Sequence, residues 1–156
     1  MIKEHVKLIE RFYTAFQNKK ADEMISCYHQ DLEFEDPAFG TLDYTQTCAM
    51  WSMLIEAGKD LEISFKNAWS ENEFGGADWE AKYTFSKTGR KVHNRIDAKF
   101  LFKDNLIVGH RDHFDFYKWT RMALGGPGIL LGWTNYLQKK VNTNVLNLLE
   151  KWISTH

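Results

Sequence analysis

Five segments of the chain alternate between apolar and other residues, and this alternation constrains the fold more than any other feature. Successive side chains of a β-strand point to opposite faces, so every second residue lines one surface. The surfaces predicted to face the interior are Leu32, Phe34 and Asp36; Leu61, Ile63, Phe65, Asn67 and Trp69; Trp79, Ala81, Tyr83 and Phe85; Ile96, Ala98, Phe100 and Phe102; and Val108, His110, Asp112, Phe114 and Phe116.

Two aspartates, Asp36 and Asp112, are the carboxylates on these predicted interior surfaces. A carboxylate that faces an aromatic interior is costly unless it is paired or protonated. Such a cost is typical of a functional acid or base. His110 lies two residues before Asp112 on the same predicted face, where it can relay a proton. We therefore predict Asp112, Asp36 and His110 as the candidate catalytic residues.

Each of these three residues also has a purely structural interpretation. Asp36 precedes Pro37, and an aspartate at such a position commonly bonds the local backbone in an Asx turn. Asp112 and His110 can form a buried ion pair or hydrogen bond with each other. The functional and the structural interpretation both stay open here, because the pattern does not give the distance between the two aspartates.

The remaining interior residues predict the walls of an apolar pocket. Aromatic residues make up 15% of the chain, which favours a wide interior surface that binds hydrophobic molecules. Tyrosine and asparagine side chains on that surface can donate a hydrogen bond to a ligand carbonyl, although most aromatic residues also fit an ordinary core. The predicted pocket residues are Phe12, Tyr13, Phe34, Trp51, Asn67, Trp69, Trp79, Tyr83, Phe100 and Phe114.

Helical spacing and capping signals place helices on both sides of the strands. An N-terminal helix is predicted from apolar residues spaced three and four apart between Ile2 and Phe16. Asp43 is a plausible N-cap of a later helix, with Gln46 at capping-box distance and Gly58 as its end. The stretch 118–128 is predicted as a hinge, after which a final apolar helix returns to the core.

The predicted strands span 32–36, 61–71, 77–87, 92–103 and 106–117, and one turn is assigned to Phe74-Gly75-Gly76. Short turns between long alternating segments predict antiparallel hairpins. Helices packed on one face of an antiparallel sheet define the α+β class. We predict one domain over residues 1–156, with a C-terminal helical extension at about 119–156.

Composition excludes several classes of function. The chain carries 20 basic and 21 acidic residues and a formal net charge of -1, so the whole chain has no electrostatic footprint for nucleic acid or for a membrane. Cys27 and Cys48 form no disulfide scaffold or metal spacing, and no HExxH motif supports zinc. We therefore expect no metal, no cofactor, no nucleic-acid or membrane partner and, in the absence of a targeting signal, a cytoplasmic location.

Three short motifs resemble the nuclear transport factor 2-like superfamily. Its members include ketosteroid isomerases, limonene-epoxide hydrolases and SnoaL-like polyketide cyclases. The motifs are Glu10-Arg11-Phe12-Tyr13, Phe34-Glu35-Asp36-Pro37 and His110-Arg111-Asp112-His113-Phe114-Asp115. The resemblance extends to about Trp119 and implies a cone-shaped, strongly curved antiparallel sheet packed on N-terminal helices, here with an added C-terminal helix.

The resemblance to ketosteroid isomerases implies a role for Asp36. Asp36 matches the catalytic base of that family, whose oxyanion hole combines a tyrosine with a protonated aspartate. The matching positions for those two groups are close to Phe12 and Ala98, neither of which can donate a hydrogen bond from its side chain. Classical steroid isomerisation is therefore not expected.

The resemblance to limonene-epoxide hydrolases implies a role for Asp112. Asp112 matches one of their catalytic carboxylates, but Trp79 and Ala81 stand where that family has an Arg-x-Asp pair. SnoaL-like cyclases also place an acidic residue on a late strand, which makes them the closest analogy.

The leading hypothesis is metal-free acid–base chemistry on a small hydrophobic molecule bound in an apolar cone, of isomerase, cyclase or lyase type. Asp112 is its main carboxylate, Asp36 a second and His110 a modulator. The alternatives are a non-catalytic small-molecule-binding module and a protein-interaction subunit of the same fold. The resemblance further implies a homodimer through the outer face of the sheet, where opposed charges on Glu80 and Arg95 suit a self-complementary contact.

Overall fold

A computed structural model describes residues 2–156, and Met1 and the side chain of Ile2 lie outside this description. The described part forms six helices and six strands. The helices are α1 (Ile2–Gln17), α2 (Ala21–Ile25), α3 (Tyr44–Ala57), α4 (Phe116–Leu124), α5 (Gly126–Leu131) and α6 (Asn135–Thr155). The strands are β1 (Tyr28–Asp36), β2 (Gly40–Leu42), β3 (Glu62–Glu71), β4 (Phe74–Phe85), β5 (Arg90–Lys103) and β6 (Leu106–His113).

All six strands form one open sheet in the order β2-β1-β6-β5-β4-β3. The α+β prediction is confirmed, with the helices on the N-terminal and C-terminal sides of the strands. The sheet is mixed, however, because β1 pairs with β6 in the parallel sense, and a wholly antiparallel sheet was predicted. Parallel neighbours require a long crossover connection, and β2, α3 and the β3–β5 meander supply it.

Helix α1 fills the inner face of the curved sheet. Its buried face carries Leu8, Ile9, Phe12, Tyr13, Ala15 and Phe16, the three-and-four spacing from which the helix was predicted. This face packs against β3 and β4. The helix therefore occupies the centre of the cone and brings Phe12 and Tyr13 against the strands that carry the predicted site.

Helix α3 begins and ends where the capping signals place it. The Asp43 carboxylate accepts from the backbone N–H of Gln46 at 2.8 Å, and the Gln46 side chain accepts from the Asp43 backbone N–H at 3.0 Å. The backbone N–H of Gly58 closes the last turn by donating to Leu54. The predicted capping box is confirmed, because it depends only on residues that are neighbours in the sequence.

The Gly75-Gly76 pair lies inside β4, so its assignment to a turn is wrong. A Cβ atom at Gly76 would lie 2.6 Å from the indole nitrogen of Trp69, and one at Gly75 would lie 2.8 Å from the ring of Phe102. The strand thus requires glycine here because aromatic side chains cover the backbone. The chain reverses earlier, at Asn72, whose φ of 55° lies in the left-handed region.

The stretch 118–128, predicted as a hinge, is mostly helical. The Asp115 carboxylate caps α4 by accepting from the backbone N–H of Lys118 at 3.0 Å. Strand β6 therefore ends at His113, earlier than predicted, and Phe116 belongs to the helix. Pro127 lies in the first turn of α5, where its missing N–H removes no helical hydrogen bond. Among residues 2–156, no helix is both long enough and apolar enough to cross a bilayer.

Charged side chains cover the outer face of the sheet, and several are paired within the chain. Glu80 contacts His93 and lies 3.8 Å from Arg95. Asp97 lies 3.2 Å from Lys99. Their alternation with buried residues along β5 is regular. The homodimer predicted through this face stays a prediction.

Candidate functional site: two carboxylates on parallel strands

The parallel pairing of β1 and β6 brings the two aspartates together. Phe34 is the register partner of His110, and Glu35 is the partner of Arg111. One step further along both strands, Asp36 is level with Asp112. Both side chains point to the inner face, since alternate residues of a strand share a face. Neighbouring strands lie about 5 Å apart, so the two carboxylates are close enough to interact.

The Asp36 carboxylate is half-buried and holds the turn that follows it. Its Oδ1 atom accepts from the backbone N–H groups of Ala38 and Phe39, at 2.9 and 2.6 Å. This is the Asx turn of the structural interpretation. Burial and the charge of Asp112 nevertheless outweigh these hydrogen bonds and raise the pKa of Asp36 from 3.8 to about 7. Both interpretations of Asp36 therefore apply.

The Asp112 carboxylate ends a buried chain of hydrogen bonds. Trp51 donates its indole N–H to the hydroxyl oxygen of Tyr28 at 2.8 Å. Tyr28 and Nδ1 of His110 are 2.8 Å apart, and Nε2 of His110 and Oδ1 of Asp112 are 2.9 Å apart. Trp79 also donates to Oδ1 of Asp112, at 3.3 Å. Asp112 keeps only 4% of its surface exposed.

The indole N–H of Trp51 can only donate, so the Tyr28 oxygen accepts from it. When His110 is neutral and Nε2 is the nitrogen that donates to Asp112, Nδ1 is an acceptor and the Tyr28 hydroxyl group donates to it. Nε2 of His110 then carries the hydrogen and donates to Asp112. The hydrogen bond between Tyr28 and Nδ1 thereby fixes the tautomer and the ring orientation of His110, as in other sites where the second nitrogen orients an imidazole.

Aromatic rings surround His110 on all sides. The ring centroids of Phe12, Phe34 and Phe100 lie 5.6, 5.1 and 4.6 Å from that of His110. Trp51 stacks on it at 6.2 Å. These predicted pocket residues do come together, and they pack against the imidazole and one another. Their packing isolates the His110–Asp112 hydrogen bond from solvent, which strengthens it.

The Tyr13 hydroxyl group is buried and has no hydrogen-bond partner within residues 2–156. The Tyr13 ring packs near Trp79 and Phe65, at 5.9 and 5.5 Å. Burial and the charge of Asp112 raise the pKa of Tyr13 well above its usual range, so the group stays a donor. A buried hydroxyl without a partner is costly, and the inner face therefore holds one unused donor close to Asp112.

Tyr83 on β4 contacts the C-terminal helix α4. Its hydroxyl oxygen accepts from the indole N–H of Trp119 on α4 at 2.8 Å. Burial and the negative charge of Asp36 raise the pKa of Tyr83. Trp119 was missed because it lay in the predicted hinge, although Phe116, Trp119, Thr120 and Ala123 have helical spacing and are all buried. That spacing in the sequence would have predicted helix α4 and a buried Trp119.

Helix α6 covers the turn at Asp36. The Asn142 side chain donates to the backbone carbonyl of Ala38 at 2.9 Å, and α6 also packs against α3. The C-terminal helix therefore folds over its own domain, directly beside one of the two carboxylates. Phe114, the residue that follows β6, is buried.

Asn67 and Trp69 do not face the interior, so their predicted orientation is wrong. The register between β3 and β4 shifts between Lys66 and Trp69, and Asn67 takes a φ of 59°. This bulge turns the following residues over. Asn67 donates to the Asp78 carboxylate at 2.9 Å on the outer side, and Trp69 is 40% exposed.

Two surface depressions lie away from the aspartate pair. One of about 440 Å³ is lined by Tyr83 and Met122 among others, and one of about 570 Å³ is lined by His5 and Phe102 among others. Tyr83 is the residue that the first depression shares with the surroundings of Asp36. Within residues 2–156, no three His, Cys, Asp or Glu side chains group as metal ligands would.

A family model for the SnoaL-like domain matches residues 9–110. The chain belongs to the SnoaL-like domain family. This match begins at Ile9 within α1 and ends at His110 within β6, so Asp112 and α4 lie beyond it. The comparison with curated proteins found no match.

Several solved structures share the SnoaL-like fold at low sequence identity. A candidate SnoaL-like polyketide cyclase from Jannaschia sp. is 13% identical, with a TM-score of 0.69 over 81% of this chain and 94% of the other. An LEH-like epoxide hydrolase from M. tuberculosis is 19% identical, with a TM-score of 0.63 over 83% and 96%. A protein from Catenulispora acidiphila with a ketosteroid isomerase-like fold, in complex with trimethylamine, is 11% identical, with a TM-score of 0.67 over 81% and 96%. The predicted superfamily is confirmed.

Proposed function

We propose that this chain binds a small hydrophobic carbonyl compound at the inner face of its sheet and moves a proton on it without a metal. The observation that supports this most is the pair of inward carboxylates, Asp36 and Asp112, at the same level of two parallel strands. Two carboxylates that cannot both ionise freely take different protonation states, and such pairs commonly divide acid and base roles.

Asp36 is the proton-transferring group in this proposal. A pKa of about 7 leaves a substantial fraction of both forms at neutral pH, which is the best condition for general acid–base catalysis. The two hydrogen bonds described for Asp36 both end on Oδ1, so Oδ2 is available to a substrate proton. This order of roles reverses the hypothesis from the sequence, in which Asp112 was the main carboxylate.

Asp112 and His110 are positioning residues. The two donors on Oδ1 of Asp112 hold its carboxylate in one orientation. The buried negative charge of Asp112 then helps to raise the pKa of Asp36. His110 transmits the orientation set by Tyr28 and thereby modulates the pair without touching the substrate.

Tyr13 supplies the hydrogen bond to the substrate carbonyl. Its hydroxyl group is buried, keeps its proton and has no partner within the described residues. A preorganised donor on the same inner face as a base stabilises the negative charge that develops on the carbonyl oxygen when a neighbouring carbon loses its proton. The shift of a double bond beside a carbonyl, aldol cyclisation and β-elimination beside a carbonyl can each begin with this step.

Membership of the SnoaL-like family supports acid–base chemistry on a small molecule. Two residues of β4 narrow the kind of reaction. Trp79 and Ala81 give β4 no carboxylate on the inner face, so epoxide hydrolysis is not part of the proposal. One structural neighbour is described as a candidate polyketide cyclase, which agrees with a carbonyl-rich, hydrophobic substrate.

Proton exchange on carbon tests the proposal with model compounds in place of the natural substrate. A panel of apolar ketones and 1,3-diketones is incubated with the protein in deuterium oxide, and isotope uptake at the α-carbon is followed by NMR. Asp36→Asn should slow exchange by about 10²–10⁴-fold, the usual contribution of a positioned base. Asp43→Asn, which changes an exposed helix cap, is the matched control. Equal exchange by wild type and Asp36→Asn would contradict the proposal.

A second candidate function is a non-catalytic binding module for the same class of molecule. The closed hydrogen-bond chain on Asp112 favours it, because a buried polar group with satisfied partners needs no catalytic explanation. Saturable binding of a panel compound without isotope uptake would support this second function.

A further inference from the structure

Positive charge is concentrated in the C-terminal part of the chain. Between Asp115 and Glu150 the sequence has no acidic residue and four cations, Lys118, Arg121, Lys139 and Lys140. All four side chains are exposed. The near-zero charge of the whole chain therefore hides a positively charged segment, and a surface built from α4, α5 and the start of α6 attracts anions.

The same segment exposes a run of large apolar side chains. The residues are Ile129, Leu130, Leu131, Trp133 and Tyr136, here called the apolar tip. Leu130 and Trp133 expose 72% and 73% of their surfaces. Single exposed apolar residues are ordinary, but a contiguous group of this kind marks an interaction site.

The cations border the apolar tip. The Tyr117 hydroxyl donates to the backbone carbonyl of Ile129 at 2.9 Å, and the Arg121 guanidinium lies 4.8 Å from the Tyr117 ring centroid. On α6, Lys140 follows Tyr136 by four residues and therefore lies on the same side of the helix, one turn on. The apolar residues thus have positive charge on both the α4 side and the α6 side.

Close packing holds the apolar tip in place. A Cβ atom at Gly128 or Gly132 would overlap Thr120, at 2.0 Å in both cases, so α5 lies directly on α4. After the tip, Leu137 and Val141 on α6 are buried. The exposed side chains are therefore presented by a fixed scaffold, which lowers the entropic cost of binding a partner.

We propose that the apolar tip inserts into the surface of an anionic lipid bilayer. Leucine and isoleucine side chains enter the boundary of the acyl chains, while tryptophan and tyrosine prefer the level of the headgroups. The bordering lysines and arginines bind the lipid phosphates. This is attachment to one leaflet, and it agrees with the finding that no helix in residues 2–156 is able to cross a bilayer.

Charge favours a bilayer over a second copy of the chain as the partner. In a symmetric contact each tip would meet its own copy, and the four cations of each segment would meet a segment that supplies no acidic residue to pair with them. An anionic lipid surface offers the complementary charge. The proposal does not depend on the catalytic role of Asp36, because it concerns a different surface.

Vesicle sedimentation tests the proposal. The full chain is mixed with vesicles of phosphatidylcholine alone or of an equimolar mixture with phosphatidylglycerol, and the bound fraction is measured at low and high salt. The variants are Leu130→Ser with Trp133→Ser, and Lys139→Gln with Lys140→Gln. Leu148→Ser is the matched control, since Leu148 is also an exposed apolar residue of α6 but lies about three turns beyond Tyr136.

Wild type and Leu148→Ser should bind the anionic vesicles strongly and the neutral vesicles weakly, and salt should weaken the binding. The double lysine variant should lose roughly thirtyfold in partition coefficient, as expected for two cations near an anionic surface. The Leu130/Trp133 variant should lose binding while its circular dichroism stays unchanged. Equal binding by all variants, or no binding by wild type, would overturn the proposal. So would a dimer in light scattering that only the Leu130/Trp133 variant disrupts.

Discussion

The effect of the Asp36 charge on stability is the most direct prediction to test. Because the pKa of Asp36 is raised in the folded chain, its ionisation opposes folding. Asp36→Asn keeps an oxygen that accepts from the backbone N–H groups of Ala38 and Phe39, so the Asx turn is preserved. The new amide has no charge, so it cannot ionise as the pH rises. The substitution therefore removes the ionisation of this carboxyl group and little else.

The sign follows from the raised pKa. In the unfolded chain the pKa of Asp36 is near its ordinary value of 3.8, and in the folded chain it is about 7. Between these values the folded state binds more protons, so raising the pH through this window destabilises the wild type. The full shift corresponds to about 4 kcal/mol, and partial exposure to water reduces the expected effect to about 2 kcal/mol.

Urea unfolding followed by tryptophan fluorescence measures the effect between about pH 4 and about pH 8. Relative to wild type, the stability of Asp36→Asn should rise by about 2 kcal/mol across this range and level off above about pH 8. Asp43→Asn controls for the chemical change, since the Asp43 side chain also accepts a backbone N–H but is exposed. A flat difference, or a loss of stability for Asp36→Asn at the upper end, would refute the reasoning and leave only the structural role.

Three further substitutions have defined outcomes. Tyr28→Phe leaves the Trp51 N–H and Nδ1 of His110 without partners, so the free energy of unfolding should fall by about 2–4 kcal/mol in urea titrations; an unchanged value would mean that the chain is not formed. Tyr13→Phe removes a buried hydroxyl without a described partner and should change stability by less than about 1 kcal/mol while it slows carbon-proton exchange; full exchange activity would exclude Tyr13 as the carbonyl donor. Asp43→Ala should lower the unfolding free energy by about 1 kcal/mol through loss of the α3 cap, and a thermal melt that matches wild type would contradict this.

Features that depend on residues close in sequence were predictable. The α3 capping box needs only Asp43 and Gln46, and the regular burial of every second residue along β5 follows from strand geometry. Alternation failed at Asn67, because one residue in the left-handed region reverses the face of all that follow. An asparagine tolerates that conformation, but neither its neighbours nor its spacing indicates that it adopts it.

The sequence by itself determined that Asp36 and Asp112 face an aromatic interior, since alternation along each strand is a local property. Only the tertiary structure decided that they stand side by side, because the β1–β6 pairing joins strands separated by nearly half of the chain and is parallel. The partners of His110 were decided in the same way. Tyr28 and Trp51 reach it from β1 and α3, and no local pattern encodes contacts between elements so distant in sequence.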